Sequence, residues 1–261
     1  MDSNVVEGDR LFLIAENLAQ DFSRLPTIEA EAYGGMRGLV SASSIARRLR
    51  ALDAMDIDTY IETVVEPAEA QARASAPSVV QSLGSLIEED SDGPFYCATI
   101  AMDFDGDARL IGVIAQNRSI QNGAWMPRHH LAAVAFVEKC SKRAMPIVSL
   151  MDTPGAVSDA EANRGNQAHS ISRLITEMSN VDVPNVGIVF GLGYSGGAIP
   201  LAASNIILSV RDGVFSTIQP KSLASIARRL NLSWQECAKP VSYTHLRAHE
   251  TEAEIVCRLL L

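Results

Sequence analysis

Cysteine and positive charge are both scarce in this sequence, and each shortage argues against a class of protein. Only four of the 261 residues are cysteines, and no two of them form a CxxC pair. We therefore expect no zinc site from ligands close in sequence, no bound metal, and buried free thiols. The chain has 22 basic and 31 acidic residues, a net charge of −9, and no basic stripe. Because phosphate contacts need clustered lysine and arginine, we expect no nucleic-acid partner.

Long apolar runs and a leader peptide are also missing from the pattern. No apolar run approaches the roughly 20 residues that a membrane-spanning helix needs. The polar start, Met1–Asn4, lacks the basic and apolar regions of a signal peptide. We therefore expect a cytoplasmic protein that does not enter the membrane. The composition, 47% hydrophobic and 20% charged, is that of a globular chain with one large domain or two small ones.

The first third of the chain has a helical pattern. Apolar residues recur at helical spacing within residues 8–90, for example at Ile45, Leu49 and Leu52. The polar run Glu88–Pro94 is typical of a linker. We therefore predict that residues 1–94 form a mainly helical N-terminal segment and linker.

Residues 95–240 show the alternation of an α/β domain. Phe95–Phe104 and Ala108–Ala115 have the pattern of two strands joined by a turn at Asp105–Asp107. On the helix predicted at 127–143, we expect the apolar Leu131, Val134, Ala135 and Val137 on one side. Strands that alternate with helices predict parallel pairing in the rest of the domain. The further predicted strands are residues 146–151, 186–190, 206–210 and 214–218, and the further predicted helices are residues 159–180, 195–204 and 222–230.

Two short segments in this domain carry the pattern of a binding site. Asp152–Ala156 and Gly191–Ala198 both lie between a predicted strand and a predicted helix. Open α/β sheets bind ligands at the carboxyl ends of their strands. Adjacent glycines let the backbone approach a ligand closely, and free N–H groups at a helix start can bind an anionic oxygen. Side by side, the two turns would form an oxyanion hole.

Other interpretations of these segments need features elsewhere in the chain. Both segments can simply be tight turns, since glycine serves turns generally. Asp152–Gly155 matches the DxxG element of GTPases, but the GxxxxGK[ST] loop that must precede it is missing. Gly193–Gly197 matches the GxSxG nucleophile elbow of serine hydrolases, with Ser195 as nucleophile. The histidine base follows the serine in that order, and after Ser195 the chain has only His245 and His249. A serine hydrolase therefore stays as an alternative.

A longer pattern resembles the α subunit of bacterial acetyl-CoA carboxylase carboxyltransferase. Several motifs share their order and spacing with that family, and the resemblance covers residues 95–240. Gln219–Ile226 extends it, because the segment is similar to the family's Ser-Pro-Glu-Gly-Cys-Ala-Ser-Ile. The other motifs are Ile147–Ala156, Arg164–Ala168, Glu177–Asn180, Val183–Pro184 and Ser195–Ala198.

The resemblance implies an α/β, crotonase-like domain built from ββα turns. In the family, two such domains on two subunits face each other: one binds the acyl-CoA, and the α-type domain receives carboxybiotin from a carrier protein. The implied activity is carboxyl transfer from carboxybiotin to an acyl-CoA, as from acetyl-CoA to malonyl-CoA in fatty acid biosynthesis. The implied partners are a second carboxyltransferase subunit, a biotin carboxyl carrier protein and the acyl-CoA, in a hetero-oligomer.

The resemblance also assigns residues to roles. Backbone N–H groups around Gly196, Gly197 and Ala198 would stabilise negative charge on the ureido oxygen of biotin, the catalytic role. No side-chain acid or base is needed, because the biotin nitrogen can take the α-proton of the substrate. The residues implied to bind carboxybiotin are Asp152, Pro154, Gly155, Ala156 and Tyr194.

Two departures from the family's pattern keep further alternatives open. Lys221 stands where the family usually has an acidic residue, and Gln116–Ser119 replaces a segment rich in lysine and glycine. Both bear on the choice of acyl substrate and on carrier recognition. An acyl-CoA or malonate decarboxylase subunit and a non-catalytic scaffold paralogue are therefore alternatives.

The end of the chain has a different character. Residues 241–251, Val-Ser-Tyr-Thr-His-Leu-Arg-Ala-His-Glu-Thr, resemble the translation of a transposase adapter used in DNA sequencing libraries. We therefore expect residues 241–261 to be a non-native tail that packs poorly, and the natural domain to diverge near Pro240. A natural amphipathic helix is the alternative.

Overall fold

The computed structural model describes residues 56–241, apart from residues 71–73, 105, 211–212, 227–230 and 232. The helical pattern predicted before residue 56 and the tail predicted after residue 241 lie outside the described residues. Within the described part of the chain, no helix is both long and apolar enough to cross a membrane.

A seven-stranded mixed sheet forms the centre of the described domain. Its order is β1-β2-β3-β4-β5-β6, and β7 pairs with the far end of β5. The first three strands pair antiparallel, whereas β3 to β6 run parallel, and β7 runs parallel to β5. The strands are β1 Ser85–Asp92, β2 Phe95–Phe104, β3 Asp107–Gln116, β4 Ile147–Thr153, β5 Asn185–Tyr194, β6 Ile206–Ser209 and β7 Val214–Ser216.

Helices cover both faces of this sheet. They are α1 Ile57–Tyr60, a π-helical turn Ile61–Val65, α2 Glu66–Glu69, α3 Ala76–Leu83, a 3₁₀ turn Gln121–Gly123, α4 Pro127–Lys142, α5 Ala160–Arg164, α6 Gln167–Asn180, α7 Ser195–Ala202, α8 Pro220–Ile226 and α9 Trp234–Val241. Pro127 opens α4, where its missing N–H costs nothing, and Asp159 caps α5 by accepting from Ala162 N.

The sheet separates two hydrophobic clusters. Residues along β2 alternate between them: Ala98, Ile100 and Met102 pack with α3, whereas Phe95 and Cys97 pack with α4, α6 and α7. This alternation follows from the two-residue period of a strand. Among the described cysteines, Cys97, Cys140 and Cys237 are buried and free, as predicted, and burial raises the pKa of both the Cys97 and the Cys140 thiol to about 12.

A third hydrophobic cluster joins the N-terminal helices to the carboxyl end of β5. Tyr60, Val64 and Ala68 pack there against Leu192 and Tyr194. The segment before β1 is therefore part of the same hydrophobic core as the end of β5. Arg118 adds polar contacts to this junction by donating to the carbonyls of Ala68 at 2.8 Å and Glu69 at 2.7 Å.

Most predicted elements are confirmed, including the parallel pairing and the antiparallel strand pair. The strand predicted at Ala108–Ala115 extends by one residue at each end, to Asp107–Gln116. The prediction of a linker at Glu88–Pro94 is wrong for residues 88–92, which belong to the antiparallel edge strand β1. All eight residues of β1 are exposed, so no apolar alternation marks it. Charged side chains on an edge strand discourage pairing with other chains, which explains this acidic sequence.

Three further features of the domain differ from the prediction. The predicted helix 159–180 is broken in two, because Asn166 adopts a left-handed conformation (φ 62°) between α5 and α6. The glycine-rich segment 191–194, predicted as a turn, continues β5, and the turn itself falls at Ser195. On α4, Leu131 and Ala135 are exposed instead of buried, since the inward face is formed by Ala133, Val134, Phe136, Val137 and Cys140.

Candidate functional site

The first predicted segment forms a tight turn at the carboxyl end of β4. The Thr153 hydroxyl donates to the Gly155 carbonyl at 2.9 Å and accepts from Gly155 N at 3.2 Å. Gly155 has φ 139°, a value that residues with a side chain rarely adopt. Pro154 and Ala156 are half-buried, whereas Thr153 and Gly155 are buried. Pro154 and Ala156 are therefore the residues of this turn that stay partly accessible at the carboxyl edge of the sheet.

The second predicted segment is the sharp junction between β5 and α7. Ser195, the first residue of α7, has φ 55°, although it is not a glycine. A positive φ at such a residue stores backbone strain and is concentrated at functional sites. Tyr194 is the N-cap, and no side chain caps this helix. The first N–H groups of an α-helix have no intrahelical acceptor, so a ligand can use them.

The two turns lie directly against each other, as the sequence predicts. A Cβ on Gly197 would lie 2.6 Å from the Gly155 carbonyl carbon and 2.8 Å from Ala156 N. A Cβ on Gly196 would instead lie 2.9 Å from Cδ1 of Ile171 in α6. Close packing on backbone therefore requires a glycine at position 197, whereas a Cβ at position 196 would meet only the end of a flexible side chain. Gly197 thus brings the first turn of the helix against the backbone of the Thr153–Ala156 turn.

The geometry bears on which N–H groups a ligand could use. In a regular helix capped by Tyr194, the N–H of Ala198, four residues on, would bond to the Tyr194 carbonyl. The N–H of Gly155 is held by the Thr153 hydroxyl at 3.2 Å. The roles of Gly196, Gly197 and Ala198 as oxyanion donors stay predictions, and the N–H of Ala156 is a further candidate across the junction.

Asp152 lies beneath the turns and has structural partners. Its carboxylate is 2% exposed, accepts from Leu192 N at 2.9 Å and lies 3.4 Å from the Arg118 guanidinium. At this point the β4–β5 register shifts, with Met151 opposite Val189 but Thr153 opposite Gly193. The Asp152 side chain thus supplies an acceptor where the ladder is interrupted, and its contact with carboxybiotin stays a prediction.

Tyr194 is also placed away from solvent. Its side chain is fully buried in the third hydrophobic cluster, and its hydroxyl has no hydrogen-bond partner among the described residues. Burial raises the pKa of this hydroxyl above its ordinary value. The Tyr194 side chain therefore packs against the N-terminal helices, and a ligand at the turn would meet only its backbone. A role of this side chain in binding carboxybiotin gains no support from its position.

Gln116, part of the departure from the family's pattern at Gln116–Ser119, connects the two turns. The fully buried side chain donates from Nε2 to the Gly197 carbonyl at 2.7 Å, and its Oε1 accepts from Asp152 N at 3.2 Å. The sequence signal for Gln116 is its position: it is a polar residue directly after a predicted strand, as Asp152 is at the start of the first segment.

His130 is a second residue that was not predicted for the site. It lies near the Gly196 backbone, in the first turn of α7. Its ring is fully buried, stacks edge-on against Trp125 and places Nδ1 3.2 Å from the Met126 carbonyl. Burial is the main cause that lowers the pKa of His130 to about 4, and the Gly196 backbone is among the groups that act on it. Pro200, four residues after Gly196, has no N–H for the Gly196 carbonyl. The imidazole thus lies near a helix carbonyl that lacks its usual donor.

Lys221, the other departure from the family's pattern, contacts Glu69 of α2 and Trp234 of α9. Its ammonium group lies 3.6 Å from the Glu69 carboxylate and 5.2 Å from the centre of the Trp234 ring. The positive charge at this position therefore pairs with residues of this chain. Within the described residues, no group of three or more His, Cys, Asp or Glu side chains is arranged to hold a metal ion.

The fold is that of the crotonase-like carboxyltransferase domains. Three solved structures share it at low sequence identity: the β subunit of Pseudomonas aeruginosa geranyl-CoA carboxylase (TM-score 0.53, 18% identity, 65% of this chain and 35% of that one), transcarboxylase 12S (0.52, 16%, 73% and 36%) and a single-chain, multi-domain long-chain acyl-CoA carboxylase (0.51, 17%, 72% and 20%).

A family model described as acetyl co-enzyme A carboxylase carboxyltransferase-like matches residues 113–256, and the chain belongs to that family. The chain is 37% identical over 122 residues to the acetyl-coenzyme A carboxylase carboxyl transferase subunit alpha of Azorhizobium caulinodans. These 122 residues are 47% of this chain and 38% of that protein. Over 130 residues it is 34% identical to the same subunit of Francisella philomiragia, covering 50% and 41%. The chain thus spans about two fifths of the length of these curated relatives.

Proposed function

We propose that this chain is the α-type component of a biotin-dependent carboxyltransferase that moves a carboxyl group from carboxybiotin to an acyl-CoA. One observation carries the proposal: within a chain of the carboxyltransferase-like family, Gly197 packs directly on the Gly155–Ala156 peptide. This contact brings the uncapped first turn of α7 against the Thr153–Ala156 turn. An uncapped helix start favours an oxygen that gains negative charge.

The proposed chemistry depends on backbone N–H groups more than on side chains. When the carboxyl group leaves the biotin nitrogen, the electron pair of the broken C–N bond moves onto the ureido group, and its oxygen gains negative charge. The N–H groups of Gly196 and Gly197 would donate to that oxygen. Ala156 N–H would add a donor from the opposite turn. Donors fixed before the reaction stabilise the transition state more than the ground state, which is the condition for catalysis.

The α-proton of the acyl-CoA needs no side-chain base in this scheme. The biotin nitrogen, once it has lost the carboxyl group, takes that proton, and the resulting carbanion attacks the carboxyl carbon. The junction offers no acid–base pair of its own: Asp152 is held by Leu192 N and Arg118, and burial of His130 keeps its ring neutral at pH 7. The residues around the turns therefore bind, orient and exclude water.

The partners follow from the proposed reaction. A single domain of this kind supplies the biotin side of the site, so the acyl-CoA side would come from a second carboxyltransferase subunit in a hetero-oligomer. The carboxybiotin would arrive on a biotin carboxyl carrier protein. Carboxybiotin is a substrate here, and no metal is part of the scheme. The cytoplasm is the proposed location, in line with the composition of the sequence.

The alternative hydrolase is less well supported by the geometry. The strand, sharp turn and helix around Ser195 match the shape of a nucleophile elbow, including its strained φ. However, the Ser195 hydroxyl makes no hydrogen bond within the described part of the chain, and a nucleophilic serine needs a general base in contact. Decarboxylase and scaffold functions use the same fold, so they are separated by experiment.

Reverse transfer in the isolated holoenzyme tests the proposal. The chain is purified together with its partner subunit and supplied with malonyl-CoA, with or without free biotin, and acetyl-CoA is measured. We expect acetyl-CoA to form only when biotin is present to accept the carboxyl group. Formation without biotin would instead establish a decarboxylase, and no formation in either case would favour a scaffold. Labelling of Ser195 by a fluorophosphonate would establish the hydrolase.

A further inference from the structure

The Gln116 side chain forms hydrogen bonds on both sides of the junction between the two turns. Its amide accepts from Asp152 N, directly before the Thr153–Ala156 turn, and donates to the Gly197 carbonyl in the first turn of α7. Building on the proposed function, we propose that Gln116 is a positioning residue, which sets the separation of the backbone donors in the two turns.

The position of Gln116 explains why a side chain is used here. Gln116 is the last residue of β3, and the β3–β4 ladder ends with Ala115 opposite Leu150. Beyond that pair, β3 and β4 have no further residues paired in register. The Gln116 carboxamide extends past the end of its strand and accepts from Asp152 N, so the side chain continues the ladder by one further bond.

A continuous chain of hydrogen bonds passes through the amide. Leu192 N donates to the Asp152 carboxylate at 2.9 Å, Asp152 N donates to Gln116 Oε1 at 3.2 Å, and Gln116 Nε2 donates to the Gly197 carbonyl at 2.7 Å. The chain therefore starts on β5, crosses to β4 and β3, and returns to α7. It encloses the place where β5 departs from the β4 register. Buried networks in which every member is paired fix one geometry.

The restrained peptide is the one that matters for donors. The Gly197 carbonyl is fixed by Gln116 from one side, while the Cα of the same residue rests on the Gly155–Ala156 peptide. With its carbonyl and Cα both held, the first turn of α7 has little freedom to rotate. Its N–H groups then keep their direction toward the place where charge develops. A displacement of about 1 Å in such a group can cost about 10²-fold in rate.

The amide is matched to its two partners by chemistry as well as by length. One end must accept and the other must donate, which a carboxamide does and a carboxylate does not. A protonated carboxyl group has the same shape, with one oxygen that accepts and one hydroxyl that donates. Gln116→Glu therefore restores the arrangement only in its protonated form. Burial and the neighbouring Asp152 carboxylate favour protonation of the new side chain, whereas the Arg118 guanidinium, 3.4 Å from Asp152, opposes it.

Three variants of the holoenzyme test this role in the biotin-dependent reverse transfer. Gln116→Met keeps the volume and loses both hydrogen bonds, so kcat should fall by about 10²-fold while KM for the acyl-CoA stays unchanged. Gln116→Glu should be impaired at pH 8 and recover as the pH falls, whereas the Met variant should show no recovery. Asn185→Leu is the matched control: Asn185 is a buried amide that donates to the Met178 carbonyl and accepts from Asn205 N, at the opposite end of β5. Its loss should lower the melting temperature and leave kcat unchanged.

The outcomes separate this inference from the proposed function. If the wild-type holoenzyme shows no biotin-dependent transfer, the proposed function fails first. If the wild type transfers and a folded Gln116→Met variant has the same kcat, the positioning role is wrong while the function stands. If Gln116→Met does not fold, the Glu variant decides: activity that rises on acidification, relative to wild type at each pH, supports the role, and a flat ratio overturns it.

Discussion

Gly197 and Gly155 are packed so closely that neither a methyl group nor a water molecule fits between them: a Cβ on Gly197 would lie 2.6 Å from the Gly155 carbonyl carbon. Backbone cannot move aside as the end of a side chain can. The contact therefore joins the carboxyl ends of β4 and β5 into one rigid junction. It also makes a glycine at this position a requirement of packing before any role in catalysis is considered.

Gly197→Ala should therefore destabilise the protein more than Gly196→Ala. Both substitutions gain the same helix propensity, up to about 1 kcal/mol. The Cβ at position 197 meets the Gly155–Ala156 backbone, whereas the Cβ at 196 meets only the flexible end of Ile171 at 2.9 Å. Overpacking typically costs about 1–3 kcal/mol, so we expect a difference of that order in urea unfolding. Equal stability of the two variants would contradict the close contact.

The fold was largely predictable because its elements are strongly periodic. Phe95–Phe104 alternates between two apolar faces, and the buried strands Ile147–Thr153 and Asn185–Tyr194 contain the mainly apolar runs Ile147–Met151 and Val186–Leu192. By contrast, β1 is exposed along its whole length and acidic, so neither alternation nor a buried run identifies it. The break at Asn166 was signalled by the preceding glycine, but helical spacing of apolar residues continued through it.

The site was predictable only in part, for a different reason. The two backbone turns are local and follow from Asp152–Ala156 and Gly191–Ala198. The bonds of Gln116 join residues 36 and 81 positions apart, and no local pattern encodes such contacts. The burial of Tyr194 likewise depends on the N-terminal helices, which are distant in sequence. The sequence thus predicts where the turns form, whereas the side chains that hold them together emerge only from the tertiary packing.

Asp152→Ala should be strongly destabilising, whereas Asp107→Ala should not. Removing the Asp152 carboxylate leaves Leu192 N without its acceptor and a largely buried Arg118 guanidinium, 16% exposed, without its ion pair. Breaking a buried pair in this way typically costs about 3–5 kcal/mol. The Asp107–Arg109 pair is exposed on both sides, and such pairs contribute little. Thermal and urea unfolding of the two variants measure the contrast; a small effect at Asp152 would refute its structural role.

The buried His130 imidazole should make the protein sensitive to mild acid. Burial lowers the pKa of His130 in the folded protein from 6.5 to about 4. Between pH 6.5 and pH 4 the unfolded chain therefore binds a proton at this residue, whereas the folded chain does not. Stability is thus fully present above pH 6.5 and is lost as the pH falls toward 4. His130 should contribute a loss of about 2 kcal/mol between pH 7 and pH 5.

His130→Phe isolates this contribution. The variant keeps a ring against Trp125 and removes the titration, so its urea midpoint should change less between pH 7 and pH 5 than that of the wild type. The nearby His129, whose pKa is also lowered by burial, remains in both proteins and cancels in the comparison. His169→Phe, at an exposed position, serves as the control. Identical pH dependence in the wild type and His130→Phe would show that His130 is not responsible.

Replacing single backbone amides by esters tests the proposed oxyanion donors without adding any atoms. Glycolic acid in place of Gly196 or Gly197 removes one N–H and leaves the close contact with Gly155 intact. Loss of one oxyanion donor typically costs about 10²–10³ in rate, so we expect kcat of biotin-dependent transfer to fall by that factor at an unchanged KM for the acyl-CoA. Glycolic acid in place of Gly93, in the exposed β1–β2 turn, makes the same chemical change far from the junction and should leave kcat unaltered.

Folding of all three esters is compared by circular dichroism and by binding of the partner subunit. The ester at Gly196 also weakens the helix hydrogen bond that the Ser195 carbonyl would accept, so this variant should lose a little stability, about 1 kcal/mol. The ester at Gly197 weakens only the Gly196 carbonyl, which has no helix donor because residue 200 is proline. Wild-type turnover by both of these folded esters would mean that the start of α7 does not hold the developing charge.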